Sequence, residues 1–124
     1  MRKSSLLYTA LGFMIVFAVL DYVAQVFSLY WTLWWFDIMM HLLGGFSGGL
    51  VVLWFFGPFS IYRSLFLTIG CLLVIGIAWE IFEYTHDLPQ PINYGLDTVY
   101  DLINDTAGAV LSYFYVRLQT PKFS

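Results

Sequence analysis

The sequence predicts an all-α integral membrane protein, a four-helix bundle with both termini in the cytoplasm. Three observations predict this class. Of the 124 residues, 60% are hydrophobic and only 10% are charged, whereas a soluble domain has about 25% charged residues because polar side chains cover its surface. The apolar residues also fall in stretches long enough to cross ~30 Å of hydrocarbon. At this length we expect one membrane domain, residues 1–124.

Four stretches are predicted to span the bilayer, at about residues 6–29, 37–56, 64–84 and 97–116. All four prolines fall outside them, where a missing backbone N–H does not have to be satisfied in lipid. The first stretch follows Met-Arg-Lys, as in a signal peptide. It is too long for one and lacks a small-residue cleavage site, so we expect a retained helix.

The basic residues predict the orientation. Arg2 and Lys3 precede the first span, Arg63 lies between the second and third, and Arg117 and Lys122 follow the fourth. With four spans, all five lie on one side, which the distribution of Lys and Arg identifies as cytoplasmic. We therefore expect a multi-pass protein of the bacterial inner membrane. A nucleic-acid partner is excluded, because it requires a basic face and the chain has 5 basic against 8 acidic residues.

Every acidic residue falls in the outer half of a span or in the outer loop before the last span. Polar residues three or four apart share a helix face, and each span carries such a set. The sets are Asp21 with Gln25; Asp37 with His41; Glu80 with Glu83; and Asp97, Asp101, Asn104 and Asp105. At 1.5 Å per residue, His41, Glu80 and Asp101 lie at a common depth, ~6 Å below the outer ends of their spans. We therefore expect one intramembrane cluster, although Asp97 equally fits a helix cap and Asp21 or Gln25 a hydrated interface.

Crowded carboxylates in a poorly hydrated space cannot all ionise without compensation, and this half of the chain has no Lys or Arg. Bound metal cations, shared protons or a water-filled cavity would each allow the carboxylates to lie close together. Carboxylates with an imidazole suit Mg, Mn or Zn, so we expect a divalent metal cation. The predicted ligands are Asp37, His41, Glu80, Asp97, Asp101 and Asp105, supported by Asp21, Gln25 and Asn104. Glu80 and Glu83 are the predicted catalytic residues, one of them the general base.

The polar residues also resemble those of a known family. They form the runs Asp37-x-x-x-His41-x-x-Gly44-Gly45, Trp79-Glu80-x-x-Glu83 and Asp97-x-x-x-Asp101-x-x-Asn104-Asp105-x-x-Gly108. In order and spacing these runs are similar to those of the YjdF-type small bacterial inner-membrane proteins and, more distantly, of the VanZ-like proteins associated with teicoplanin resistance. The resemblance covers about residues 36–112. It implies a location in the cell envelope and supplies no established reaction, and with four spans the chain would be a minimal version.

Three functions remain open from the sequence. The first is a hydrolase or transferase acting on a lipid or lipid-linked envelope substrate, with the metal activating a water or polarising the substrate. The second is a cation- or proton-handling transporter or channel subunit, although the inner half of each span lacks ionisable groups. The third is a non-enzymatic envelope accessory protein. We also expect a homodimer through the glycines of residues 44–49, which form a small-xxx-small pattern.

Overall fold

Helices account for nearly all of the described structure. It is a computed structural model that describes residues 2–56, 61–85 and 94–119, with side chains from residue 64 and residue 96 onward in the last two segments. The helices are α1 (Lys3–Phe27), α2 (Leu29–Thr32), α3 (Phe36–Phe56), α4 (Ile61–Thr85) and α5 (Tyr94–Gln119). These residues contain no strand, so the all-α prediction is confirmed. The four prolines, His86, Asp87 and Lys122 lie outside the described residues.

Three helices are long and apolar enough to cross a membrane: Lys3–Phe27, Phe36–Phe56 and Ser64–Thr85. α5 has the length, 26 residues, but Asp97, Asp101 and Asp105 lower its hydropathy. Its crossing therefore stays a prediction, as do the closed four-helix bundle and the cytoplasmic termini. Large apolar side chains such as Ile15, Phe66 and Ile81 are exposed. Such exposure is unfavourable in water and costs nothing in lipid, so it agrees with a membrane location.

The connection between the first two long helices differs from the prediction. α1 ends at Phe27, before the predicted end of the span at residue 29, because Ser28 has a left-handed backbone (φ 57°, ψ 39°) and its N–H bonds to the carbonyl of Ala24. Left-handed residues commonly end helices in this way. The chain then forms the short helix α2 between the first two predicted spans. At the other end, α5 begins at Tyr94, so Asp97 lies in its first turn.

α3 lies at the centre of the described helices. It packs against α1, α4 and α5, and α5 also packs against α4. The closest approach joins α3 to α5, because a side chain at Gly45 would overlap the backbone of Asp105 and one at Gly49 would overlap the Ser112 side chain. Gly108 of α5 is crowded in the same way by the α3 backbone. Glycines on both helices thus bring the two backbones into contact.

The remaining glycines of the pattern on α3 contact other helices of the same chain. A Cβ on Gly44 would lie 3.2 Å from the ring of Phe17 in α1, and one on Gly48 would lie 3.0 Å from Leu72 in α4. The face predicted to join two copies is therefore covered within one chain. A homodimer would have to use another surface.

Candidate metal centre

His41 contacts three carboxylates from two helices. Its Nε2 lies 3.5 Å from Asp37 Oδ1, one turn earlier in α3, and 3.2 Å from Asp101 Oδ1 in α5. Its Nδ1 lies 2.9 Å from Asp105 Oδ1, in hydrogen-bonding geometry. Asp101 is buried, and the other three residues are partly buried. We call Asp37, His41, Asp101 and Asp105 the His41 cluster.

Glycines determine where this cluster forms. Gly45 lies one turn after His41 on the same face of α3, and its contact with the backbone of Asp105 brings α5 alongside the imidazole. On the other side, a Cβ at Gly76 of α4 would lie 3.0 Å from Asp105 Oδ2. Small residues on α3 and α4 therefore make the space that the Asp105 carboxylate occupies.

Asp37, His41 and Asp101 form a group that can hold a metal ion, because one ligand atom from each lies within 4.8 Å of the others. Metal–ligand bonds of about 2.0–2.2 Å separate neighbouring ligand atoms by about 2.8–3.6 Å in tetrahedral or octahedral geometry. The distances from His41 Nε2 to the two aspartates, 3.2 and 3.5 Å, fall in that range. In the tautomer that carries its proton on Nδ1, His41 donates to Asp105 and directs the Nε2 lone pair at the group, the usual arrangement for a histidine ligand.

The cluster is crowded with negative charge. Asp37 and Asp101 both lie within 3.5 Å of His41 Nε2, and Asp97 is close enough to Asp101 to interact with it electrostatically. Two carboxylates approach this closely only when a proton or a cation compensates their charge. The compensation here comes from a protonated His41, from protons shared between aspartates, or from a bound cation. The first of these was not anticipated from the sequence.

The two glutamates of α4 border the cluster and have other partners. Thr98 Oγ1 in α5 donates a hydrogen bond to Glu80 Oε2 at 3.1 Å, and Glu80 is buried. Trp79 Nε1 donates to Glu83 Oε1 at 2.9 Å. Glu83 is also close enough to Glu80 and to the His41 cluster to interact with them electrostatically. The catalytic role of these glutamates stays a prediction, as does metal ligation by Glu80.

Asp21 and Gln25 form a separate group with Tyr30, which we call the Asp21 latch. Gln25 Nε2 donates to Asp21 Oδ2 at 2.9 Å, and the Tyr30 hydroxyl donates to Asp21 Oδ1 at 2.7 Å. Burial, followed by the hydrogen bond to Asp21, raises the pKa of the Tyr30 hydroxyl. The Tyr30 ring packs edge-on against Phe36, with centroids 5.1 Å apart. These contacts hold α2 to α1 and α3.

The remaining predicted residues lie on α5. Asp97 is close enough to the cluster to interact with it electrostatically, and its ligation of a metal stays a prediction. Asn104, which lies between Asp101 and Asp105 in the sequence, is partly buried. Its supporting role also stays a prediction.

Three residues of the site were not found from the sequence: Thr98, Gly76 and Tyr30. Thr98 precedes Asp101 by three residues and Gly76 precedes Glu80 by four, spacings that share a helix face and would have included both. Tyr30 carried no such signal, because its position depends on the left-handed turn at Ser28.

A comparison with protein families assigns the chain to one of them. A family model described as "Predicted membrane protein (DUF2238)" matches residues 1–121, so the chain belongs to this family. YjdF-type proteins belong to it too, which confirms that resemblance at the level of the family, whereas nothing in the comparison supports the likeness to VanZ-like proteins. Neither the curated proteins nor the solved structures include a significant match. The family description gives a membrane location and no reaction.

Proposed function

We propose that this member of the DUF2238 family is a metal-dependent hydrolase or transferase of the bacterial inner membrane, acting on a lipid or lipid-linked envelope substrate. Asp37, Asp101 and His41 Nε2 would hold a divalent cation, and Asp105 would orient the imidazole. One observation carries the proposal: Nε2 lies between two carboxylates from different helices, while a third carboxylate binds Nδ1. Mg, Mn and Zn all suit such a ligand set.

The chemistry follows from the charges around the cluster. A bound cation would polarise a phosphoryl or carbonyl oxygen or lower the pKa of a water. A carboxylate of α4, Glu80 or Glu83, would take the proton from the attacking water or hydroxyl. The basic residues with described side chains, Arg2, Lys3 and Arg117, lie at the ends of α1 and α5 remote from the cluster, so the proposal assigns binding of an anionic substrate group to the cation.

The hydroxyl groups below the cluster favour this proposal over a transporter. A proton pathway needs donors and acceptors that connect from one helix to the next. Among the described residues, the hydroxyls of Ser47, Thr68 and Ser112 each donate to a backbone carbonyl of their own helix. These side chains are buried, and their hydrogen bonds run along the helices rather than between them. They do not extend the His41 cluster into a pathway.

Elemental analysis of the purified protein in detergent tests the proposal. The wild type should contain a stoichiometric divalent metal, and Asp37→Ala, Asp101→Ala and His41→Ala should each lose it. Asp21→Asn is the matched control, because it also removes an outer-half carboxylate but leaves the cluster intact, so it should retain the metal. A folded wild-type protein without metal, or one whose metal survives all three substitutions, would refute the proposal.

Under the proposal the His41 cluster faces the extracytoplasmic side, which predicts the topology of the chain. A reporter fused after Ser124 or inserted near Ser60 should read cytoplasmic, because Lys and Arg concentrate at those ends of the spans. A reporter near Gln90 should read extracytoplasmic. A cytoplasmic signal at Gln90 would turn the site to the opposite face.

A further inference from the structure

The start of α1 lies beside the ends of α3 and α5, away from the His41 cluster. Leu6 of α1, Leu53 of α3 and Val116 of α5 belong to one buried apolar cluster. At 1.5 Å per residue, Leu53 lies about 18 Å from His41 along α3. α1 and α3 are long and apolar enough to cross the membrane, so their ends lie at the level of the lipid head groups.

This end of the described helices carries exposed basic side chains. Arg2 precedes α1, Lys3 begins it, and Arg117 lies in the last turn of α5; all three are exposed. Residues 1–20, 38–79 and 106–124 contain no Asp or Glu, so no acidic side chain from the neighbouring turns compensates the positive charge. A partner that binds this surface is therefore anionic.

An aromatic ring determines the position of one of these charges. Lys3 Nζ lies 5.7 Å from the centre of the Trp54 ring, and Trp54 packs against the buried cluster that contains Leu53. A cation–π contact uses the face of the ring, and a lysine ammonium has three N–H donors. The ammonium is thus held at the end of α3 with donors available to an oxygen ligand.

Large apolar side chains adjoin the basic ones and are also exposed. Phe55 follows Trp54 in α3 and is 69% exposed, and Leu118 follows Arg117 in α5 and is 81% exposed. In a bilayer, such side chains are favourably covered by acyl chains just below the head groups. A molecule with a negative head group and apolar tails therefore matches both kinds of side chain.

We propose that Lys3 and Arg117 bind the head-group phosphate of an anionic phospholipid, with its acyl chains against the ends of α3 and α5. Trp54 is the positioning residue, because it orients the Lys3 ammonium. Charge is what this surface recognises, so a lipid of net negative charge binds in preference to a zwitterionic one. The inference is independent of the proposed metal-dependent function, since the lipid binds at the other end of α3.

Native mass spectrometry of the full-length protein tests the inference, with phosphatidylglycerol and phosphatidylcholine of identical acyl chains as probes. The wild type should bind phosphatidylglycerol at least tenfold more tightly. Lys3→Gln and Arg117→Gln should each reduce that preference about fivefold, the contribution of one basic residue at an anionic membrane surface. Trp54→Leu should reduce it about two- to fivefold with no change in net charge, because only the cation–π contact is lost.

Arg63→Gln is the matched control, because it removes an equal charge from the first turn of α4 and should change the preference less than twofold. Equal losses in Lys3→Gln and Arg63→Gln would show that net charge alone attracts the lipid and would overturn the site. Equal binding of the two lipids by the wild type would overturn it too.

Two further measurements identify the ligand and separate this inference from the proposed function. Inorganic phosphate at 10 mM should leave the lipid bound, because it offers no acyl chains; displacement of the lipid would make free phosphate the ligand and overturn the proposal. Asp37→Ala should keep the preference for phosphatidylglycerol whether or not the wild type contains metal. A wild type without metal that keeps the preference refutes the metal site alone, and one with metal but no preference refutes the lipid site alone.

Discussion

The Asp21 latch and the His41 cluster have the same sequence pattern and different structures. Each begins with an aspartate followed four residues later by a polar side chain on the same helix face. In the latch, the two oxygens of Asp21 each accept a hydrogen bond from a neutral donor, the farther one only nine residues away in the chain. In the cluster, His41 meets a carboxylate of its own helix and two of α5, with Asp105 lying 64 residues away.

The difference lies in the balance of donors and acceptors. One carboxylate with two neutral donors is satisfied, so the latch needs no ligand and serves to hold α2 in place. Three carboxylates around one imidazole have a surplus of acceptors and of negative charge, which a cation can compensate. Equal spacing in a sequence thus leads to a structural contact in one place and to a candidate binding site in the other.

The largest effect is expected from Gly45→Ala, which should break the cluster and leave the latch intact. The added methyl overlaps the backbone of Asp105, so α5 must move away from His41. Overpacking of this kind costs about 1–3 kcal/mol, and the stabilisation by bound metal is lost in addition. Thermal melts in detergent with elemental analysis measure both losses.

Gly12→Ala is the control for that substitution, because a Cβ there has nothing within 4 Å. It should keep the metal and leave the melting temperature unchanged or slightly higher, since Ala favours a helix over Gly by up to ~1 kcal/mol. Equal melting of the two variants would contradict the close contact between α3 and α5.

The second prediction concerns metal removal. At a metal concentration a hundredfold above the dissociation constant, the wild type should be about 2.7 kcal/mol more stable than in chelator. His41→Ala should show no such difference, because Nε2 joins the ligands of α3 to those of α5. Cys71→Ser, which lies outside the cluster, should respond like the wild type. Melts with chelator and with Mg, Mn or Zn measure the difference, and coincident curves for the wild type would contradict a metal site.

The third prediction sharpens the role of Asp105. Asp105→Asn keeps an oxygen that can accept from Nδ1–H but removes the charge that orients and polarises the ring. Such a change lowers metal affinity about 10–100-fold and does not abolish binding. Competition with a fluorescent chelator measures the affinity. Complete loss of the metal would instead make Asp105 a direct ligand, as the sequence analysis predicted.

The smallest effect is expected from Tyr30→Phe in the latch. The substitution removes one hydrogen bond to Asp21, worth about 0.5–1.5 kcal/mol, and should leave the metal content unchanged. Tyr22→Phe is the control, because that side chain is exposed on the same helix as Asp21. Loss of metal in Tyr30→Phe would show that the two regions are coupled and would end the contrast between them.

The sequence was sufficient to predict the long helices and one of the side-chain contacts between them. Apolar length located the helices within a few residues, and the common depth of His41 and Asp101 correctly anticipated that they would meet. Pairings such as Thr98 with Glu80 were not predictable, because they depend on how each helix is rotated against its neighbours. That rotation is set by contacts such as Gly45 against Asp105, which no single-helix pattern reveals. The turn at Ser28 was missed because serine has no strong preference for a left-handed backbone.

The separation of 64 positions between His41 and Asp105 also imposes an order of assembly. The latch joins residues nine apart, so it can close as soon as α1 and α2 have been synthesised. The aspartates of α5 are different, since ionisable groups inside a membrane cost about 2.5–3.5 kcal/mol each without a partner. Their partner, the imidazole, already lies on α3 when α5 emerges from the ribosome. If α5 crosses the membrane as the sequence predicts, it depends on α3 for a favourable place in the bilayer, and the candidate site is completed only when α5 arrives.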